Sequence, residues 1–395
     1  MNNQARFIQR QHGIALIIFT LTLVLAAIAY FLTQMNSNTV KLAREKTSIS
    51  ALAEAKSALI GKVIGDPNIT TSFYLPNPEL SLNVPTFPEG SETGVAGSQD
   101  RIIIGKLPWN SLDIGPIKDG TDECLWYVLS GRFKNNPKTT VLNWDTQAQI
   151  DVIDANGNSV ATNVVALIVS AGAQLTGQNR SVTTNTQCGG DYDVMNFMDT
   201  PNSVNAVAGQ VNYFAGTPNH REATDVNNKQ FVRAKNDYYN DQFVFVTVDD
   251  IFKPIIRRTD FKSQINTLLN MAQLSTVSIS GVNTKGADNI DCNLITNAND
   301  KRFCENWKEM LLLIALPSMP IYLDGTATAT CNRVIIFGGQ KTSGQVRLTA
   351  ADKNNPANYL EANNLLAFNA PATNTFYGVS NFDPDNPSAD VMRCI

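Results

Sequence analysis

Apolar positions fall into three regimes along the chain. From Ile14 to Leu32 they are nearly continuous, with no charge, Gly or Pro. A helix of that length suffices to cross a bilayer core, which takes roughly 17 to 25 apolar residues. The apolar positions then thin to helical spacing at Ala43, Ile49, Leu52, Ala53, Leu59, Ile60 and Val63. Gly61, Gly65 and Pro67 close the element. The pattern predicts one helix of about 50 residues, roughly 75 Å at 1.5 Å per residue. Its first half is transmembrane and its second amphipathic. Beyond Pro67 the apolar residues come in short runs between turns.

Residues 67–100 carry Pro67, Pro76, Pro78, Pro85, Pro88, Gly90, Gly94 and Gly97 and predict an extended linker lying on the head. Arg101–Trp109 reads as a short strand or the entry to one, Glu123–Gly131 as a buried strand or a short helix-to-strand element, and Ile150–Asn158 as a strand ending in a hairpin turn at Asn156-Gly157. Asn163–Val169 reads as a strand buried on both faces, and Gln242–Val248 as another strong strand. Asp249 or Asp250 is the expected N-cap of a helix through Leu269, with Pro254 placed in its first turn. Trp307–Leu316, Arg333–Phe337 and Asp390–Cys394 complete the apolar elements.

The second half echoes the first. Gly172, Gly177, Gln178 and Arg180 follow the strand at 163–169, and Gly339, Gly344, Gln345 and Arg347 follow the strand at 333–337, at a constant offset of 167. Leu125–Leu129 and Leu311–Ala315 precede the two copies. Phe197-Met198-Asp199 with Asn202, and Tyr359-Leu360-Glu361 with Asn364, follow them. The expected fold class is α+β: a long N-terminal transmembrane and amphipathic helix, then a large head of two related α/β lobes arising by internal duplication. The lobes span 101–248 and 300–395, joined by a helix and loop over 249–299.

All six cysteines, Cys124, Cys188, Cys292, Cys304, Cys331 and Cys394, lie beyond the apolar helix. An even count in an exported segment indicates disulfides, though six allow fifteen pairings. The repeat suggests local pairs: Cys124 with Cys188, Cys292 with Cys304, and Cys331 with Cys394. The closest two, Cys292 and Cys304, are too far apart for a Cys-x2-4-Cys zinc motif. The net charge of -4 argues against a nucleic-acid surface.

Candidate chemistry is sparse. Beyond the apolar helix there is one histidine, His220, and no Gly-x-Ser-x-Gly element. Gly338–Gly344 has the composition of a phosphate loop but not its order. Asp151, Asp154, Asn156 and Asn158, and separately Asp383, Asp385 and Asn386, loosely suggest calcium loops, with turns as the better account. Gln178, Arg180, Gln345 and Arg347 serve either as donors in a cleft or as ties within their turns. No catalytic residue, metal or cofactor is assigned.

Arg6, Arg10 and His12 precede Gly13, after which the apolar run starts at once. By the positive-inside rule this end stays cytoplasmic and the remainder is exported. A cleaved secretory signal and a plain signal anchor share part of this pattern. The arrangement resembles a type IV prepilin signal. Together with Glu123-Cys-Leu-Trp-Tyr127, Leu142-Asn-Trp-Asp145 and the Gly-Gln-x-Arg turns, the chain resembles large-headed prepilin-like proteins of the minor pilin or minor pseudopilin type. The resemblance implies a leader over 1–13, cleavage between Gly13 and Ile14 by a prepilin peptidase, and methylation of Ile14. It implies a pilin-like helix over 14–66, transmembrane at 14–32, that packs with other pilin or pseudopilin subunits. Ile18 stands at the fifth mature position, where major pilins carry Glu. A subunit lacking that carboxylate suits a filament tip, with a role in assembly priming or adhesion. The implied location is the inner membrane, single-pass, with the head in the periplasm or outside the cell in a pilus. Two other classes stay open: an inner-membrane-anchored binding module, and an anchored hydrolase using carboxylates such as Asp145, Asp199 or Glu361.

Overall fold

The computed structural model describes residues 5–34, 37–70, 73–81, 88–181, 186–199, 211–236, 239–271, 283–285, 290–327 and 330–394. The leading helical residues are described as α1 (Ala5–Gln34) and α2 (Ser37–Gly65), and the join expected between them lies outside the described residues. Among the described residues no helix is long and apolar enough to cross a membrane. This overturns the transmembrane segment and the single-pass inner-membrane location.

The second half of α2 is built into the head. Ala51, Leu52, Ala55, Leu59 and Val63 are buried at three- and four-residue spacing, a stripe that lies on one helix face. They pack on strands β4 (Ser159–Ser170) and β6 (Gln242–Thr247) and on helix α3 (Val248–Ile255). Burying a Leu or Val side chain contributes about 1.5–3 kcal/mol. Gly120 lets its turn close on this helix, because a Cβ there would lie 2.1 Å from the Arg44 carbonyl oxygen. Lys56 donates to Asp250 at 3.0 Å. Arg258 closes the far end, donating to the Ile64 and Asp66 carbonyls at 2.7 and 2.8 Å. A cation is favoured at a helix C-terminus.

Strand β4 is the axis of the larger sheet. Its second half lies between β2 (Trp126–Leu129) and β6, both antiparallel to it. Its first half carries β3 (Ile150–Asp154), the hairpin partner. β1 (Ile103–Lys106) extends the sheet beyond β2, and β5 (Lys229–Arg233) lies parallel to β3. The run 163–169 is buried on both faces, as its continuous apolar character requires. Val165 and Ile168 join the core under α2, while Val164, Leu167 and Val169 face a second cluster with Trp126, Phe197 and Phe231.

After α3 come α4 (Thr259–Leu269), β7 (Asn283–Lys285), α5 (Ala298–Trp307) and β8 (Leu311–Met319). Then follow β9 (Ile321–Leu323), β10 (Thr326–Ala327), β11 (Cys331–Phe337), α6 (Ala350–Lys353), α7 (Ala362–Asn369), β12 (Phe376–Gly378) and β13 (Val391–Cys394). β13, β11, β8 and β7 form an antiparallel sheet in that order, and β10, β9 and β12 a small third sheet.

The head is a mixed-sheet domain and not two α/β lobes. Among the described residues, 101–247 hold strands and 3-10 turns but no α-helix; antiparallel neighbours need no crossover helix. One apolar cluster takes in Leu59 of α2, Val165 of β4, Ile265 of α4 and Ile335 of β11. Trp144 and Trp307, from opposite halves of the chain, meet edge to face with ring centroids 4.5 Å apart. The boundary drawn between 248 and 300 therefore runs through a shared core.

Two local expectations also change. The described parts of the 67–100 segment are not a surface linker: Phe73, Leu75, Asn77, Glu79 and Leu80 are buried. Leu75 N donates to Phe133 O at 2.9 Å, and Lys134 Nζ donates to the Ala96 and Ser98 carbonyls at 2.7 and 2.5 Å. The cap of α3 is Thr247: its hydroxyl accepts from Asp250 N and the Asp250 carboxylate accepts from Thr247 N, a capping box. Pro254 sits near the end of α3, and α4 starts anew at Thr259.

Three disulfides brace the head: Cys124–Cys188, Cys292–Cys304 and Cys331–Cys394, with Cα–Cα distances of 5.3, 5.8 and 5.5 Å. No cysteine is left free. Disulfides form and persist in oxidising compartments.

Candidate functional site

Residues 15–30 of α1 are exposed throughout. Leu16, Ile17, Phe19, Leu21 and Leu25 are each more than half exposed. The polar groups in this stretch are turned inward. Thr20 donates to the Leu16 and Ile17 carbonyls and Thr22 to the Phe19 carbonyl, the usual way a hydroxyl is satisfied within its own helix. Apart from Tyr30, what this stretch presents is mainly hydrocarbon. Ile18 lies on this surface, 57% exposed, so the fifth position counted from Ile14 carries no charge. The backbone of Gly13 and Ile14 belongs to α1, while their side chains lie outside the described residues. Apolar exposure continues into α2 at Val40, Leu42 and Ile49 before the head covers it. A contiguous apolar surface of this kind marks an interaction site.

The repeat resolves into two turns with the same internal bonding. Gly177 and Gly344 take φ of +96° and +94°, a conformation open mainly to glycine. Gln178 Oε1 accepts from Leu175 N at 2.9 Å, and Gln345 Oε1 from Thr342 N at 2.9 Å. Arg180 Nη1 donates to Gly172 O at 2.8 Å and its Nε to Asn196 O at 3.1 Å. Arg347 Nη1 donates to Gly339 O at 2.9 Å and its Nε to Asn358 O at 2.6 Å. The guanidinium groups lie over Phe197 and Tyr359, at 5.0 and 4.2 Å from the ring centroids. These side chains tie each turn to the 3-10 turn that follows; they do not line a cleft as donors. Arg180 also meets Glu123 at 3.4 Å, and Arg347 meets Asp145 at 3.0 Å in a fully buried pair. Burial pushes the Asp145 carboxyl up, against the pull of Arg347.

Behind each turn stands a pair of acids. In the first, Asp199 and Asp241 are buried, and each takes the other's backbone N–H, at 2.9 and 2.8 Å. One oxygen of each, Oδ1, has no hydrogen-bond partner among the described residues. Burial raises both pKa values, and the adjacent Asp241 charge raises that of Asp199 further. Two such carboxyls side by side hold a proton between them. In the second, Asp390 stands directly before β13, as Asp241 stands directly before β6. Its neighbour is Glu361, at the start of α7. Burial, and then the Glu361 charge, push the Asp390 carboxyl well up.

The three carboxylates named as hydrolase candidates are not brought together. Asp145 serves Arg347, Asp199 serves Asp241, and Glu361 faces Asp390. His220 pairs with Asp193, Nδ1 to Oδ1 at 2.7 Å. Asp154 accepts from Asn156 N, Asn158 N and the Asn158 amide, so the first calcium candidate is a hairpin turn. In the second, Asp385 bridges to Arg257 at 3.0 Å while Asp383 accepts from Asp385 N. Among the described residues no three or more His, Cys, Asp or Glu side chains form a metal-holding group. Asn202 lies outside the described residues. Asp241 and Asp390 were not anticipated from sequence; their only signal is that each immediately precedes an apolar strand.

A comparison with family models, with curated proteins and with solved structures finds no match. The resemblance to prepilins therefore rests on the residues themselves.

Proposed function

We propose that the chain is a structural subunit of a pilin-like filament, of the minor pilin or pseudopilin type. In this account α1 packs against the corresponding helices of neighbouring subunits, and the disulfide-braced head is displayed at the tip. The observation that carries the proposal is the sixteen-residue exposed apolar stretch of α1, residues 15–30, joined to a helix whose far half is anchored in the head. Burying apolar surface is worth roughly 25 cal/mol per Å², so like helices have a strong drive to cover one another. Basic residues before Gly13 and the apolar run after it fit the processing that releases such subunits for assembly. Ile18 offers no carboxylate to the terminal amine of a subunit ahead, which suits an end position, because a buried charge needs a partner.

Because all native cysteines are bonded, a single introduced thiol reports its own neighbours. Leu25→Cys, placed on α1, is expected to crosslink in the native cell to the N-terminal apolar helix of another pilin-like chain, identified by its crosslinked peptide. Asp383→Cys, on the exposed head surface, gives no such peptide. Absence of any helix-to-helix crosslink from Leu25→Cys contradicts the proposal.

A further inference from the structure

We infer that the head binds a neutral saccharide in a cavity of about 450 Å³ beside α7, with Tyr377 as the aromatic wall on which a pyranose ring packs. Tyr377 is 49% exposed and stacks on Tyr322 of the neighbouring strand, with ring centroids 5.3 Å apart and planes 24° apart. Ile321 and Phe376, the residues just before them, are buried, so the alternation of a strand turns both tyrosines outward. Each ring holds the other in place, which leaves little side-chain freedom to lose when a ligand packs on the pair. The backbone of Tyr377 is fixed as well. Asn364, 5% exposed, accepts from Tyr377 N at 2.8 Å and donates to Tyr377 O at 2.7 Å.

The rest of the lining sets the ligand class. Thr342, Asn363, Asn386 and Ser388 bring hydroxyls and amides, groups that both donate and accept, as a sugar hydroxyl does. The Asn363 side chain makes no hydrogen bond to a described residue. Among the described residues the lining holds no Lys, Arg or His, so an anionic ligand would find no counter-charge. The two acids in the lining, Glu361 and Asp390, face each other. Beyond Tyr377 the largest apolar lining residue is Val379, too small a surface for a lipid chain. Tyrosine among Asn, Ser and Gly is the residue set of recognition surfaces that combine a rigid amphipathic ring with adaptable hydrogen bonding. A pyranose asks for both, because it carries C–H bonds on one face and hydroxyls around its rim. The volume falls within the span of small-molecule sites, roughly 300–1,000 Å³, and suits a short oligosaccharide.

The test is saturation-transfer difference NMR on the full, oxidised chain with cellotriose, maltotriose and triacetylchitotriose as probes. The expected result is transfer from the protein to the pyranose C–H protons of at least one trisaccharide, undiminished by added sodium phosphate. Tyr377→Ala weakens that binding by about tenfold, the size of a good aromatic contact. Asn363→Ala weakens it by about threefold or more, as the loss of a hydrogen bond does. Val160→Ala, on the exposed start of β4, leaves it unchanged. Asn363 is exposed on α7, and its variant decides the matter if Tyr377→Ala fails to fold by circular dichroism. No transfer to any of the three sugars overturns the site, as does transfer that both site variants leave intact. Loss of transfer on adding phosphate also overturns it, because the ligand would then be anionic. None of these outcomes bears on the assembly reading, since sugar binding is read on the isolated chain and the crosslink reads α1 in the cell.

Discussion

Asp199 and Asp241 are where single residues say most about the physics of the head. Their carboxyls are pushed above the ordinary carboxylate range by burial and by one another. The folded chain therefore holds more protons than the unfolded one from about pH 4 upward, and stability falls as pH climbs through that window. Asp199→Asn replaces the shared proton with an amide N–H and keeps an oxygen for the Asn240 and Asp241 amides, both at 2.8 Å in the wild type. The variant is expected to lose less stability than the wild type between pH 5 and pH 8. The difference amounts to up to about 1.4 kcal/mol per pH unit, read from urea midpoints. Parallel pH profiles for the two proteins contradict the shared proton. None of this was visible in the sequence, because the partners lie 42 residues apart and each alone looks like a loop acid.

Among the elements, α2 links the exposed apolar helix to the head through one stripe. Leu59 is fully buried at its centre, and Leu59→Ala is expected to cost about 2–5 kcal/mol, measured by denaturant unfolding of the oxidised protein. A loss below about 1 kcal/mol would mean that the helix docks weakly. Of this stripe Leu52, Leu59 and Val63 were legible from three- and four-residue spacing, whereas Ala43, Ile49 and Ala53 of the same pattern are exposed; β4, β6 and β11 were legible from their dense apolar runs. The cap at Thr247 is signalled by the Thr-x-x-Asp spacing with Asp250 and not by the carboxylates at 249 and 250 themselves. The 67–100 segment gave no signal of burial, since its backbone is held by Lys134, Asn77 and isolated bridges and not by a regular ladder.

At the scale of the whole molecule, two designs meet: a helix with hydrocarbon on its outside, and a head that closes on a shared core with three disulfides. The turns with Gln178, Arg180, Gln345 and Arg347 were found as a repeat, and their matching bonds explain why it persists. Each Arg donates to a carbonyl of its own turn, part-buried at Gly172 and buried at Gly339. The inference of two lobes went beyond that, because a repeated turn does not require a repeated domain. The assembly account depends on α1 being the surface that neighbours cover, and the resemblance to prepilins ties this to a processed start at Ile14. Intact-mass and N-terminal analysis of the protein from its native cells, with and without the prepilin peptidase, tests this most directly. The account predicts a methylated Ile14 start only when the peptidase is present; the same start in both strains, or any other N-terminus with the peptidase present, would contradict it.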